Sequence, residues 1–143
     1  MKFIDADGLI LGRMAAVVAK RLLSGEEITI VNVENAVISG TSDATLKKYY
    51  ERVKKRSITN PRKIGPFHPR DPVRIARRTV RGMLPYTKPK GRAAYRRLKV
   101  WIGVPEELGE IETESIPEAS AADLGTRRFI KLGRLSKRLG VEV

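Results

Sequence analysis

Between Leu11 and Leu22 apolar residues recur at helical spacing: Leu11, Met14, Ala15, Val18 and Leu22 form one stripe, while Arg13, Lys20 and Arg21 fall off it. That period predicts an amphipathic helix over about residues 11–24. Ser24 and Gly25 close it, because Gly takes the left-handed conformation that commonly follows a helix C-terminus. Ahead of the helix, Phe3 to Asp5 reads as a strand and Asp7-Gly8 as a turn; behind it, the β-branched run Ile28 to Val33 reads as a short buried strand. Strand, helix and strand in this order predict a βαβ unit with parallel strands and a right-handed crossover. Residues 35–39 read as a further short strand.

A second helical pattern runs from about Ser42 to Arg56, with Ser42 or Asp43 as N-cap and Leu46, Tyr49, Tyr50 and Val53 as the expected buried face. Beyond it the periodicity stops. Six of the eight prolines lie from Pro61 to Pro89, and residues 60–66 fit neither a helix nor a strand. A helix restarts with Asp71 as N-cap and Pro72 as its first residue, and runs to about Met83. On its wheel Val73, Ala76, Val80, Met83 and Leu84 share one side; Arg74, Arg78 and Arg81 share the other, with Arg77 near the boundary. Lys90 to Leu98 predicts a short helix, residues 99–102 a strand returning to the sheet, Phe129-Ile130 a short strand, and Arg134 to Leu139 a helix ended by Gly140. The elements make an α/β fold, and a chain of 143 residues suits one domain over residues 1–143.

Charge changes the picture. From Lys47 to Lys99 nineteen Lys and Arg stand against two acids, Glu51 and Asp71, a local net charge of +17 within a total of +13. From Pro105 to Asp123 the balance reverses, with six Glu, one Asp and no cation; this acidic arm is expected either to face solvent or to neutralise part of the basic surface. A cation excess confined to one segment builds a strong positive field that attracts a polyanion and releases its counterions, which makes nucleic acid the leading partner. Contact with about 6–10 phosphates would weaken binding roughly 10³- to 10⁵-fold between 50 and 200 mM salt. Arg suits phosphate because its planar fork donates two parallel hydrogen bonds. Phe67, His68, Tyr86 and Tyr95 offer stacking surfaces of the kind unpaired RNA bases use, with Tyr95 equally suited to the core.

Other chemistry is poorly supplied. There is no Cys and a single His, so neither a Cys/His metal site nor a thiol or His-paired nucleophile can be assembled. The absence of Cys fits a reducing compartment, the N-terminus lacks a signal-peptide pattern, and no apolar run approaches the 18 or so residues of a membrane span. The turn Gly8 to Arg13 sits where a glycine loop could hold a phosphate at a helix N-terminus, which leaves a nucleotide-binding transferase as a rival reading. Its spacing matches neither the dinucleotide fingerprint nor the P-loop, and a structural turn that also touches an RNA phosphate is preferred. Asp5 with Asp7, and Glu110, Glu112 and Glu114, could pair carboxylates, but turn formation and solvated charge suit them better.

The run Thr79-Val80-Arg81-Gly82-Met83-Leu84-Pro85, followed by Gly91 and then Leu98-Lys99-Val100, resembles the signature of the universal large-subunit ribosomal protein thirteen family. Ile4-Asp5-Ala6, Leu11-Gly12-Arg13-Met14-Ala15 and residues 31–40 are similar to that family's opening βαβ segment. Gly65-Pro66-Phe67-His68, with Arg70, Pro72, Ile75 and Arg78, resembles its archaeal and eukaryotic branch. The resemblance implies a three-layer α/β/α fold around a four-stranded, mainly parallel sheet with a basic loop-and-helix insertion. It implies a structural constituent of the large ribosomal subunit that binds ribosomal RNA in assembly and in the mature cytoplasmic ribosome, beside neighbouring subunit proteins. No catalysis, cofactor, metal, membrane or small-molecule substrate is implied. The RNA contacts it implies are Gly12 and Arg13; Arg62, Lys63, His68 and Arg70; Arg74, Arg77, Arg78 and Arg81; and Lys88, Lys90, Arg92, Arg96 and Arg97.

Overall fold

The opening pattern folds as its periodicity predicts. In the computed structural model, which describes residues 1–60, 62–106, 109, 112–125 and 128–143, β1 (Lys2–Asp5) leads into α1 (Leu11–Leu23) and then β2 (Ile28–Val31). The two strands are parallel, with Lys2 opposite Ile28 and Asp5 opposite Val31. β4 (Leu98–Val100) pairs in parallel with the far side of β2, and β5 (Thr113–Glu114) with the far side of β1. The result is an α/β fold around a four-stranded parallel sheet of order β4-β2-β1-β5. All four residues of the interior strand β2 are buried, as its continuous β-branched run requires.

The α1 stripe is the heart of the core: Leu11, Met14, Ala15, Val18 and Leu22 are all buried, together with Ala19. α1 packs against α3 (Pro72–Met83) and α4 (Pro89–Arg96). Successive steps from β1 to β2 to β4 move in one direction across the sheet, so right-handed crossovers bring these helices to the same face. Burial of each large aliphatic side chain in this cluster, such as Ile4, Leu22 or Ile30, contributes about 1.5–3 kcal/mol. The basic segment up to Arg97 lies in the connection between two neighbouring strands, β2 and β4, and Lys99 lies in β4 itself.

Several expectations are corrected. β2 ends at Val31 because Asn32 turns left-handed, with φ +54°, and residues Val33–Asn35 form a 3-10 turn. β4 likewise ends at Val100: the Asn32 and Val33 N–H groups donate to the carbonyls of Gly103 and Trp101, so the chain leaves the sheet and Trp101 and Ile102 are exposed by 44% and 43%. β3 (Val37–Ser39) forms outside the main sheet, paired antiparallel with β6 (Phe129–Lys131). α2 (Ser42–Lys54) has Thr41, not Ser42 or Asp43, at its N-cap position, with no side-chain capping bond, and packs at the margin against β6. Its predicted buried face is therefore only half covered: Leu46, Tyr49 and Val53 are half-buried and Tyr50 is exposed. On α3, Ile75 takes the buried place expected of Met83, which stands 43% exposed where the chain turns extended at Leu84.

The acidic arm is part of the fold. Through β5 it supplies the edge of the sheet, and Ile116 and Ala119 are buried in the core. The carboxylate of Glu114 accepts two hydrogen bonds from the Arg21 guanidinium, at 2.7 and 2.8 Å. Its ion pair is thus with α1 and not with the basic segment. Pro61, Glu107 and Glu110, which belong to the predicted loop and arm, lie outside the described residues. The last predicted helix is α5 (Leu132–Arg138), two residues earlier than its periodicity suggested, with Gly140 after it at φ +91°.

Candidate nucleic-acid interface

The start of α3 is set by its own sequence. Pro72 needs no hydrogen bond for its nitrogen, and the Asp71 carboxylate accepts the Arg74 N–H at 3.4 Å. Pro72, Ile75, Ala76 and Val80 then pack inward, and this turns the arginines outward. Arg74 and Arg78 are exposed, whereas Arg77 and Arg81 are half-buried against aromatic rings. The Arg77 guanidinium lies 5.1 Å from the Tyr95 ring centre and that of Arg81 5.3 Å from Tyr86. The two rings meet edge to face, their centres 5.5 Å apart. Such contacts contribute about 0.5–1 kcal/mol each at exposed sites and hold a flexible cation in place before any ligand arrives.

Gly91 makes this arrangement possible. A Cβ there would lie 2.1 Å from the Pro85 carbonyl oxygen and 2.9 Å from the Tyr86 nitrogen, so only glycine lets α4 approach the 85–86 turn so closely. Tyr86 on that turn and Tyr95 on α4 are thereby brought together.

Two adjoining clefts flank the arginine face. One, of about 260 Å³, is a cationic groove lined by Phe67, Arg74, Arg77, Arg81 and Tyr95. The other, of about 210 Å³, lies between α2 and α3 and is lined by Tyr49, Arg52, Val53, Ile75 and Thr79. His68, Pro69 and Arg78 line both. Partial burial, and then the nearby cations of Arg78, Arg52 and Lys55, hold the His68 imidazole below its ordinary value. Burial pushes the Tyr49 hydroxyl up, with Arg52 opposing. All four ion pairs among the described residues, Lys2–Glu26, Arg21–Glu114, Lys131–Asp7 and Arg138–Asp43, lie outside the basic segment. No cation of that segment forms an ion pair among the described residues.

The residues expected to touch RNA do not all converge. His68 joins Arg74, Arg77, Arg78 and Arg81 in the groove, and Arg70 shares a further cleft with Arg56 and Arg74. Arg62 and Lys63 are exposed on the preceding loop, where the Lys63 N–H donates to the Asn60 side chain at 3.3 Å. Lys88, Lys90, Arg92 and Arg96 are exposed on and beside α4, with Arg92 donating to the Thr87 carbonyl at 3.0 Å. Arg97 faces inward and donates to the Leu22 carbonyl at 2.7 Å, a link between α4 and the end of α1. Gly12 and Arg13 are exposed in the first turn of α1. A Cβ at Gly8 or Gly12 would meet nothing within 4 Å, so neither glycine clears a cradle for phosphate against its own surroundings. Asp5 is a turn former: its carboxylate accepts from the Asp7 N–H and the Asn32 amide, both at 3.0 Å.

Sequence reasoning missed Tyr49 and Arg52, which line the second cleft with the Arg52 guanidinium 5.5 Å from the Tyr49 ring centre. Their helical phase had assigned Tyr49 to the core. The position of Arg52 one turn away, inside the basic segment, was the available signal. Among the described residues no cluster of three His, Asp or Glu could hold a metal, and no helix is long and apolar enough to cross a membrane.

A family model described as ribosomal protein L13 matches residues 1–107. The chain is 52% identical over 141 residues to the large ribosomal subunit protein uL13 of Methanosarcina barkeri, covering 98% of each chain. It is 50% identical over 139 residues to the protein of the same name from Methanosphaera stadtmanae, covering 97% of this chain and 96% of the relative. The corresponding protein of Methanocaldococcus jannaschii is 49% identical over 142 residues, 99% of each.

Proposed function

Because the chain belongs to the ribosomal protein L13 family and is thus a structural, non-enzymatic constituent of the large ribosomal subunit, we propose that it docks on ribosomal RNA through the face built by α3, the 62–70 loop and α4. The observation that carries this reading is the convergence of Arg74, Arg77, Arg78 and Arg81 on one groove with no ion-pair partner among the described residues. An uncompensated cluster of this kind strains the free protein by mutual repulsion, and RNA phosphate relieves it. Two of the four forks are held by tyrosines, so less side-chain freedom is lost on docking.

In this proposal Arg62, Lys63, His68 and Arg70 extend the contact from the loop, and Lys88, Lys90, Arg92 and Arg96 from α4. Gly12 and Arg13 form a separate, smaller contact. Arg97 acts through the fold, holding α4 against α1. The exposed apolar run Trp101, Ile102 and Val104 suits a neighbouring subunit protein rather than RNA. The whole chain works as one domain, docked during assembly and retained in the mature particle.

The test is sedimentation of the tagged chain from its own host through a sucrose gradient at moderate salt. One copy per large subunit is the expected result. A peak remaining near the top of the gradient, free of ribosomal RNA, would refute stable incorporation and favour a free RNA-binding regulator.

A further inference from the structure

The cleft between α2, His68 and α3 differs chemically from the groove beside it. Val53, Pro69 and Ile75 give it an apolar floor, Tyr49 and His68 supply aromatic rings, and the exposed cations of Arg52 and Arg78 flank it. Its volume of about 210 Å³ leaves room for one flat heterocycle and not for a stacked base pair. Phosphate alone gains nothing from an apolar floor and aromatic walls. A base gains both burial and stacking, and single-stranded RNA is recognised in this way.

The arrangement of the two clefts supplies the geometry. Since His68 and Arg78 line both, a strand whose phosphates follow Arg74 and Arg78 along the groove has an adjoining base beside the cleft. The Thr79 hydroxyl donates to the Ile75 carbonyl at 2.9 Å, which leaves its oxygen to accept from a base amino group. We propose that this cleft receives the base of one unpaired ribonucleotide, stacked on His68 and Tyr49, while Arg52 and Arg78 take the flanking phosphates. The inference rests on the RNA-docking reading above and assigns that surface a preference for unpaired over duplex RNA. The lowering of the His68 pKa by burial, and then by the surrounding cations, supports it, because it favours the neutral ring, which stacks without adding a further charge to the cluster.

His68 is the single histidine of the chain, so its imidazole protons report on the cleft without overlap from another His. The experiment titrates the full chain with a mixed-sequence octaribonucleotide and, separately, with a ten-base-pair RNA duplex at the same low salt. The octamer should move the His68 ring protons upfield by stacking, and the duplex should not. His68→Ala should weaken octamer binding about 5- to 150-fold and duplex binding, which loses only a groove contact, by clearly less. Val53→Trp, which fills the cleft and keeps His68, should abolish the upfield shift. If both RNAs bind, yet the ring protons stay in place or His68→Ala weakens the two equally, the cleft proposal is overturned and RNA docking stands. If neither RNA binds, the docking reading fails and takes the cleft proposal with it.

Discussion

Changing Arg74 and Arg78 together to Gln removes two exposed guanidiniums from the groove and leaves the α3 cap intact, since the cap uses the backbone N–H of Arg74. Neither side chain has an ion-pair partner among the described residues, so the folded state loses little. Surface changes of this sort stay within about 0.5 kcal/mol, or about 1–2 °C for a chain of this size. The effect on binding is larger and has a signature. Each phosphate contact contributes about 0.7–0.9 to the slope of log K against log salt, so the double variant should lose about 1.4–1.8. Over a fourfold rise in salt, from 50 to 200 mM, the unaltered chain should therefore lose about 7- to 12-fold more affinity than the variant. Fluorescence anisotropy with a labelled large-subunit ribosomal RNA fragment, at several salt concentrations and beside a melting curve, measures both quantities. Parallel salt slopes would refute phosphate contact by these two arginines, and a melting point lowered by several degrees would make them structural.

Gly91→Ala places a methyl group 2.1 Å from the Pro85 carbonyl oxygen, and the forced shift should cost about 1–3 kcal/mol, lowering the melting point by about 2–12 °C in a calorimetric scan. Glu114→Gln should lower thermal stability at neutral pH, because the bonded Arg21 holds the Glu114 carboxylate below its ordinary value of 4.5. That contribution is present above pH 4.5 and lost as pH falls through the lowered folded value, so melting curves of the two proteins should converge in acid. Burial is the main cause that holds His68 below its ordinary value, and a base stacked on the ring buries it further, so docking should lower its pKa again and RNA affinity should fall as pH drops from about 7.5 to 5.5. The same titration with His68→Ala should be flatter over that range; an equal slope would show that His68 is not the group giving up the proton.

The parts of the fold legible in the sequence were those in which one period dominates. The α1 stripe and the β-branched β2 run each report a single environment, and the Asp71-Pro72 pair marks a helix start by local chemistry alone. Tyr50 is exposed, while Tyr49 packs in part against the core, because helical phase tells which residues share a face but not how far that face is covered, and α2 sits at the margin. The acidic arm was obscure for another reason: two residues of edge strand and a pair of buried apolar side chains leave no periodic trace among so many carboxylates. The cationic face itself was legible from charge density. Its neighbouring cleft was not, since it depends on the loop at His68 folding back to meet both α2 and α3.

The long connection between β2 and β4 also has a meaning in chain entropy. Closing a flexible loop grows only logarithmically more costly with length, each doubling adding about 0.6 kcal/mol. The basic insert hangs between two adjacent parallel strands whose register, Ile28 opposite Leu98 and Ile30 opposite Val100, is held by the sheet and by α1. Lengthening or shortening the loop between 55 and 65 should leave those pairings in register. The core thus serves as a fixed socket into which basic segments of different length can be fitted with little added cost in chain closure.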